Sequence, residues 1–107
     1  MIVLDSGHIE IHRVIRVNHD SLPVGTISYG EQDGRQWINI HIDVRYRRRG
    51  YGRRAVEVLL EQFRQWKIPV ATMRVPLDDD LAWMFAKACG FQTYDVVSDI
   101  QLMEIHL

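Results

Sequence analysis

The sequence holds one cysteine, three prolines and only 9% aromatic residues in 107. Cys89 has no partner within the chain, so an internal disulfide is excluded and a reducing compartment is expected. No apolar run approaches membrane-spanning length. The opening "MIVLDSGHIEIHR" lacks both the basic region and the apolar stretch of a secretory leader, so a cytoplasmic protein with no membrane partner is expected. An excess of one charge is missing too. Thirteen Lys and Arg stand against fourteen Asp and Glu, a formal net charge of -1, which argues against binding to a long polyanion. Nothing repeats and nothing is low in complexity.

What remains is an ordinary folded composition, 47% hydrophobic and 25% charged. It fits one domain over residues 1–107, able to bury roughly two thirds of the surface its unfolded chain exposes.

The alternation of Ile9, Ile11, Ile15 and Val17 against His8, Glu10, His12 and Arg16 predicts a half-buried strand over 8–18. "VGTISYG" at 24–30 predicts a second strand, closed by an Asp33-Gly34 turn, and "QWINIHID" at 36–43 a third. From Tyr51 to Trp66 the apolar residues Ala55, Val56, Leu59, Leu60, Phe63 and Trp66 recur at helical spacing. "VATMRV" at 70–75, between two prolines, reads as a buried strand pairing parallel to 36–43. Asp78, Asp79 and Asp80 supply N-cap chemistry for a helix that Gly90 ends, and two strands around "SD" close the chain. The order β-β-β-α-β-α-β-β makes an α+β (α/β) domain on a mixed, mostly antiparallel sheet of about six strands.

Charge is concentrated at one place. Six of the thirteen cations fall in "RYRRRGYGRR" at 45–54, the joint between the third strand and the first helix. A glycine-bearing strand-to-helix loop turns backbone N–H groups toward one point, and the helix dipole adds positive potential there. Such a loop can cradle a phosphate or pyrophosphate. The third glycine of a dinucleotide fingerprint and the Gly-Lys-Ser/Thr of a P-loop are both missing.

The run "IDVRYRRRGYGRRAVEVLLEQF" resembles the signature of the GNAT superfamily of acyl-CoA-dependent N-acetyltransferases, R/Q-x-x-G-x-G/A between a strand and a long helix. "DDLAWMFAKACGF" is similar to the family's second signature, with Ala82, Phe85, Gly90 and Phe91 matching and Asp79 in an asparagine position. The resemblance extends over 22–107. It implies acetyl-CoA as acyl donor in a cleft where strands 36–43 and 70–75 splay apart. It implies pyrophosphate on the loop at Arg47, Arg48, Arg49, Gly50, Tyr51, Gly52 and Arg53, and pantetheine along Ile42, Asp43 and Val44, with Asp79, Ala82 and Phe85 also at the cofactor. A backbone N–H at Ile42 would polarise the thioester, and an amine would attack directly.

Departures from the pattern qualify the activity. Ala86 stands where many members carry a tyrosine as general acid, leaving water or Tyr94 as substitutes. Gln36 occupies a frequent glutamate position, so His41 becomes the candidate general base, with Asp43 as the other titratable group on that strand. The usual strand and two helices before the hairpin have little sequence to form them, and a homodimer is expected to complete the acceptor wall. A metal site at His8, Glu10 and His12 has no further strong ligand nearby, so no metal is expected. The aspartates are expected to cap a helix, Cys89 to be a small buried residue, and Trp37, Trp66 and Trp83 to pack. Two alternatives stay open: a CoA-binding or regulatory domain without turnover, and a small nucleic-acid-binding protein using Arg45–Arg54.

Overall fold

A computed structural model describes residues 10–17 and 21–107. Six strands and two α-helices follow one another as β1 (Glu10–Ile15), β2 (Gly25–Gln32), β3 (Arg35–Ile42), α1 (Tyr51–Gln65), β4 (Val70–Pro76), α2 (Asp80–Ala88), β5 (Gln92–Val97) and β6 (Ile100–His106), with a 3-10 turn at Val44–Tyr46. The strands form one mixed sheet in the order β1-β2-β3-β4-β6-β5. Every neighbouring pair is antiparallel except β3 and β4, the two joined through α1.

Local chemistry explains the elements. β2 and β3 are joined by Asp33 and Gly34 at φ 54° and 76°, the positive pair that a tight hairpin turn of the right twist requires. Asp79 caps α2 by accepting from the Ala82 N–H at 3.0 Å. At the other end of α2 the Gly90 N–H donates to Lys87 and the Phe91 N–H to Ala86, closing the helix where Gly90 turns with φ 98°.

The sheet has two unlike faces. Ile27, Tyr29, Ile38, Ala71, Met73, Val75 and Met103 point to one face and are buried with Val56, Leu59, Leu60 and Phe63 of α1 and Ala86 of α2. Strand alternation sends Ser28, Trp37, Asn39, His41, Arg74 and Glu104 to the other. No described helix covers that open face. It is stitched by polar pairs instead: Arg35 bonds Glu104 at 2.8 Å and stacks on Tyr94 at 4.4 Å.

β1 corrects one expectation. It is not half-buried. Only Ile15 is partly shielded, and Ile11 is 42% exposed. β1 is one of the two edge strands, so its apolar residues meet a partner on one flank only. Residues 8, 9 and 18 of the predicted strand lie outside the described residues.

β2 approaches β3 closely at Gly25, which pairs with Ile42. A Cβ on Gly25 would stand 2.2 Å from the His41 carbonyl oxygen and 3.0 Å from the Ile42 Cα. Backbone atoms cannot step aside without opening the ladder. Gly25→Ala is therefore expected to destabilise the fold by about 1–3 kcal/mol, roughly 4–8 °C in thermal midpoint for each kcal/mol. An unchanged midpoint in a thermal unfolding scan contradicts this.

Candidate functional site

β3 and β4 pair only at Gln36 with Ala71 and Trp37 with Thr72, although they run eight and seven residues. Beyond Trp37 they diverge, and the expected splay is present. The Asp43 N–H donates to the Val24 carbonyl of the β2 flank at 2.8 Å. Alternation therefore turns the N–H and C=O groups of Ile40 and Ile42 the other way, into the gap. The Gln36 carbonyl obeys the same rule: it accepts from the Thr72 hydroxyl of β4 at 2.7 Å. Ile42 thus presents its N–H to the cleft, and so does Ile40, which motif reading omits. Strand alternation past the last pair is the signal that finds it.

The strand stops at Ile42. Asp43 was expected to end it, with pantetheine running on to Val44, but Asp43 caps the 3-10 turn, its side chain accepting from the Arg45 N–H at 3.0 Å, and Val44 is 72% exposed at its start. The loop then reaches α1 through Arg48 at φ 65° and Gly50 at φ 79°. Gly50 is the N-cap and offers no side chain to the helix; the first turn carries no acidic residue. The N–H groups of Tyr51, Gly52 and Arg53 accordingly have neither a helical partner nor a capping oxygen. An anion is the chemistry that satisfies them.

The arginines divide. Arg45 is paired with Asp43 at 3.2 Å, Arg53 with Glu57 at 3.2 Å, and Arg47 donates to the Ile42 carbonyl at 3.0 Å. Arg45 and Arg49 flank the Tyr46 ring, and Arg54 lies by Tyr51. Arg48, Arg49 and Arg54 have no carboxylate partner among the described residues and leave the loop net positive.

Three residues far apart in sequence meet behind the loop. A Cβ on Gly52 would lie 3.2 Å from a Phe85 ring carbon and 3.3 Å from Ile42 Cγ1. Gly52 is buried. The expectation that both glycines admit an anion is thus refined: Gly50 supplies the left-handed turn, and Gly52 lets the start of α1 seat against α2 and the end of β3. Ala82, one turn before Phe85, packs against the same core.

Comparison with known proteins agrees with this arrangement. The sequence model of the Acetyltransferase (GNAT) family matches residues 5–91. The chain belongs to the GNAT acetyltransferase family. No curated protein matches it. Among solved structures, a domain from Methanocaldococcus jannaschii superposes with a TM-score of 0.81 at 17% identity, covering 95% of this chain and 70% of that one. PaiA N-acetyltransferase from Thermoplasma acidophilum, solved with coenzyme A, gives 0.77 at 15% identity over 84% of this chain and 57% of its own. Spermidine N-acetyltransferase from Vibrio cholerae, a dodecamer, gives 0.78 at 16% identity, over 91% and 64%. The chain thus spans 57–70% of these three neighbours.

His41 is exposed on the open face, two residues beyond Asn39. Asp43 makes a poor base: the side-chain and backbone hydrogen bonds from Arg45 hold its carboxyl below the ordinary carboxylate range. Asp79 spends one carboxylate oxygen on the α2 cap. Ala86 is fully buried in the core. Tyr94 stacks on Arg35, the first residue of β3, at the closed end of the splay, so it does not reach the cleft to replace the absent acid. Burial pushes the Cys89 thiol up to about 11, which leaves it protonated near neutral pH and unsuited to carry an acyl group. Trp37 stacks under Arg74, Trp66 packs beside Tyr29 and Phe63, and Trp83 lies by Lys87. No group of three His, Cys, Asp or Glu among the described residues could hold a metal, and His8 lies outside them. No described helix is long and apolar enough to cross a membrane.

Sequence reasoning weighed Glu10 only as a metal ligand and did not place it beside the splay. Its carboxylate accepts from the Ser28 hydroxyl at 3.1 Å, and Gly30, its partner across β1 and β2, pairs in turn with Trp37. Two ladder steps therefore carry a carboxylate to the root of the splay, a proximity that no spacing in the sequence encodes.

Proposed function

We propose that this GNAT domain binds acetyl-CoA and transfers its acetyl group to an amine by direct attack. The uncapped first turn of α1, set beside the splay of β3 and β4, carries the reading. Arg48, Gly50, Tyr51, Gly52 and Arg53 hold the pyrophosphate through backbone N–H groups, with Arg47 and Arg49 adding charge. Pantetheine lies along the free flank of β3 near Ile42, Asp43 and Val44, beside Asp79, Ala82 and Phe85 of α2. Bound there, acetyl-CoA supplies an activated acyl carbon: the acceptor nitrogen forms the C–N bond as the C–S bond breaks and sulfur departs as thiolate.

The chain's own contributions are placement and charge. The Ile42 N–H, with that of Ile40, donates to the carbonyl oxygen as it gains negative charge. His41 takes the proton of the acceptor ammonium, directly or through water. The acceptor nitrogen sheds its second proton as the amide forms, and solvent relays it to the departing thiolate, which a thiol pKa of about 8.5 permits near neutral pH. A second copy that pairs with the open edge of β1 and walls the acceptor side belongs to the same proposal, as does a reducing, cytoplasmic setting for a chain with a single cysteine.

Titration calorimetry with acetyl-CoA tests the reading, and saturable binding followed by CoA release in the presence of amines is the expected outcome. Absence of heat at near-millimolar ligand refutes it. Binding without turnover favours a CoA-binding domain without catalysis, the second reading, for which the buried Ala86 and the remote Tyr94 speak. Salt-sensitive binding of DNA or RNA in place of CoA supports the third.

A further inference from the structure

The open face of the sheet carries a concavity of about 410 Å³ lined by Glu10, Trp37, Asn39 and Arg74, among others. It sits at the root of the splay, because Asn39 of β3 and Arg74 of β4 are the first open-face residues after the last paired row. The Ile40 N–H assigned to the thioester in the proposed function follows Asn39 directly along β3, so the concavity adjoins the place where an acceptor amine must approach.

Its charges are unlike and separate. The Arg74 guanidinium lies 3.8 Å from the centroid of the Trp37 ring and donates to the Gln32 side-chain oxygen at 2.7 Å. Stacking and that one bond fix the plane of the group and leave the rest of its donor fork open. No described carboxylate pairs with Arg74, whereas Arg35, on the same face of the neighbouring strand β3, is neutralised by Glu104. On the opposite side Glu10 receives the Ser28 hydroxyl, and its other oxygen stands 3.7 Å from His12 Nε2. Glu10 is anchored on Ser28 of β2 and Arg74 on Trp37 of β3, diagonal neighbours because Ser28 pairs with Asn39, a separation of about 7–8 Å that includes a hydrogen bond at each end. A molecule whose amine and carboxylate are a few bonds apart spans that distance.

We infer that the acceptor is an amine that also bears a carboxylate, an amino acid or a short peptide, with its carboxylate in the fork of Arg74 and its ammonium directed to Glu10 beside the thioester. This rests on the proposed transfer and narrows its substrate class. A polyamine, the substrate named for the Vibrio cholerae neighbour, would set a cation against Arg74 with no anion to offset it.

The test measures CoA release with free α-amino acids, each paired with its own amide, and with spermidine. Wild-type kcat/KM is expected to favour acid over amide by about 10- to 100-fold, the worth of one charge-assisted forked contact. Arg74→Gln is expected to bring that ratio to about one and Arg74→Lys to restore part of it, while Glu10→Gln lowers acid and amide alike. An acid-to-amide ratio of one in the wild type, a ratio that survives Arg74→Gln, or a preference for spermidine overturns the inference. If no acceptor is turned over, the same pairs titrated into the CoA-saturated chain decide it separately. Acid-selective, Arg74-dependent binding upholds the acceptor site although transfer fails, and binding of neither member overturns it.

Discussion

Gly52→Val is expected to weaken acetyl-CoA binding by about 10- to 100-fold while leaving a folded chain. The argument starts from space. A single added carbon already comes within 3.2 Å of Phe85 and 3.3 Å of Ile42. The two further methyl carbons of valine must then displace the start of α1, the Phe85 ring or the end of β3. These are the three elements that frame the proposed site, so the N–H groups of the first turn can no longer converge where β3 presents its own. Loss of one charge-assisted hydrogen bond to phosphate costs about 1.5–3 kcal/mol, which corresponds to the quoted fall in affinity. Overpacking adds about 1–3 kcal/mol of lost stability, so calorimetry is read alongside a thermal scan. Gly50→Ala provides the contrast. Its Cβ meets nothing within 4 Å, so its effect comes only from the left-handed backbone at φ 79°. Wild-type affinity in Gly52→Val would detach this junction from acetyl-CoA binding.

The fold was legible where one local rule governed each element. Period-two alternation located β2 and β3, helical spacing located α1, flanking prolines bounded β4, and Asp79 and Gly90 marked the ends of α2. β1 was misjudged in its burial because alternation reports which residues could face a core; whether a core lies there depends on the sheet order, and β1 proves to be an edge. The strand-to-helix loop with its uncapped helix start was legible from two glycines between a strand and a helix. The division of labour between Gly50 and Gly52 was not, since it depends on Phe85 arriving from a helix some thirty residues later. Glu10 and Arg74 escaped for the same reason. They line one concavity from β1 and β4 with two strands between them, and a sheet row is read from pairing register, which needs coordinates.

Phe63→Ala is expected to produce the largest loss of stability among these variants. Phe63 is fully buried, edge-on to Tyr29 with ring centroids 5.3 Å apart and beside Trp66 at 6.2 Å. Truncating a buried phenylalanine costs about 3–5 kcal/mol, against a total of about 5–15 kcal/mol for a domain of ordinary stability. The one-sided architecture sharpens the effect. Both helices pack on the same face, so one layer carries the whole described core and no second layer can relax into the cavity. Trp37→Ala removes more atoms from the open face, where Trp37 is only partly shielded and holds the Gln32 carbonyl through Nε1 at 3.0 Å. It is expected to cost less than half as much as Phe63→Ala in a denaturant titration. Equal losses at the two positions would mean that something packs on the open face in solution, and that the sheet is not one-sided there.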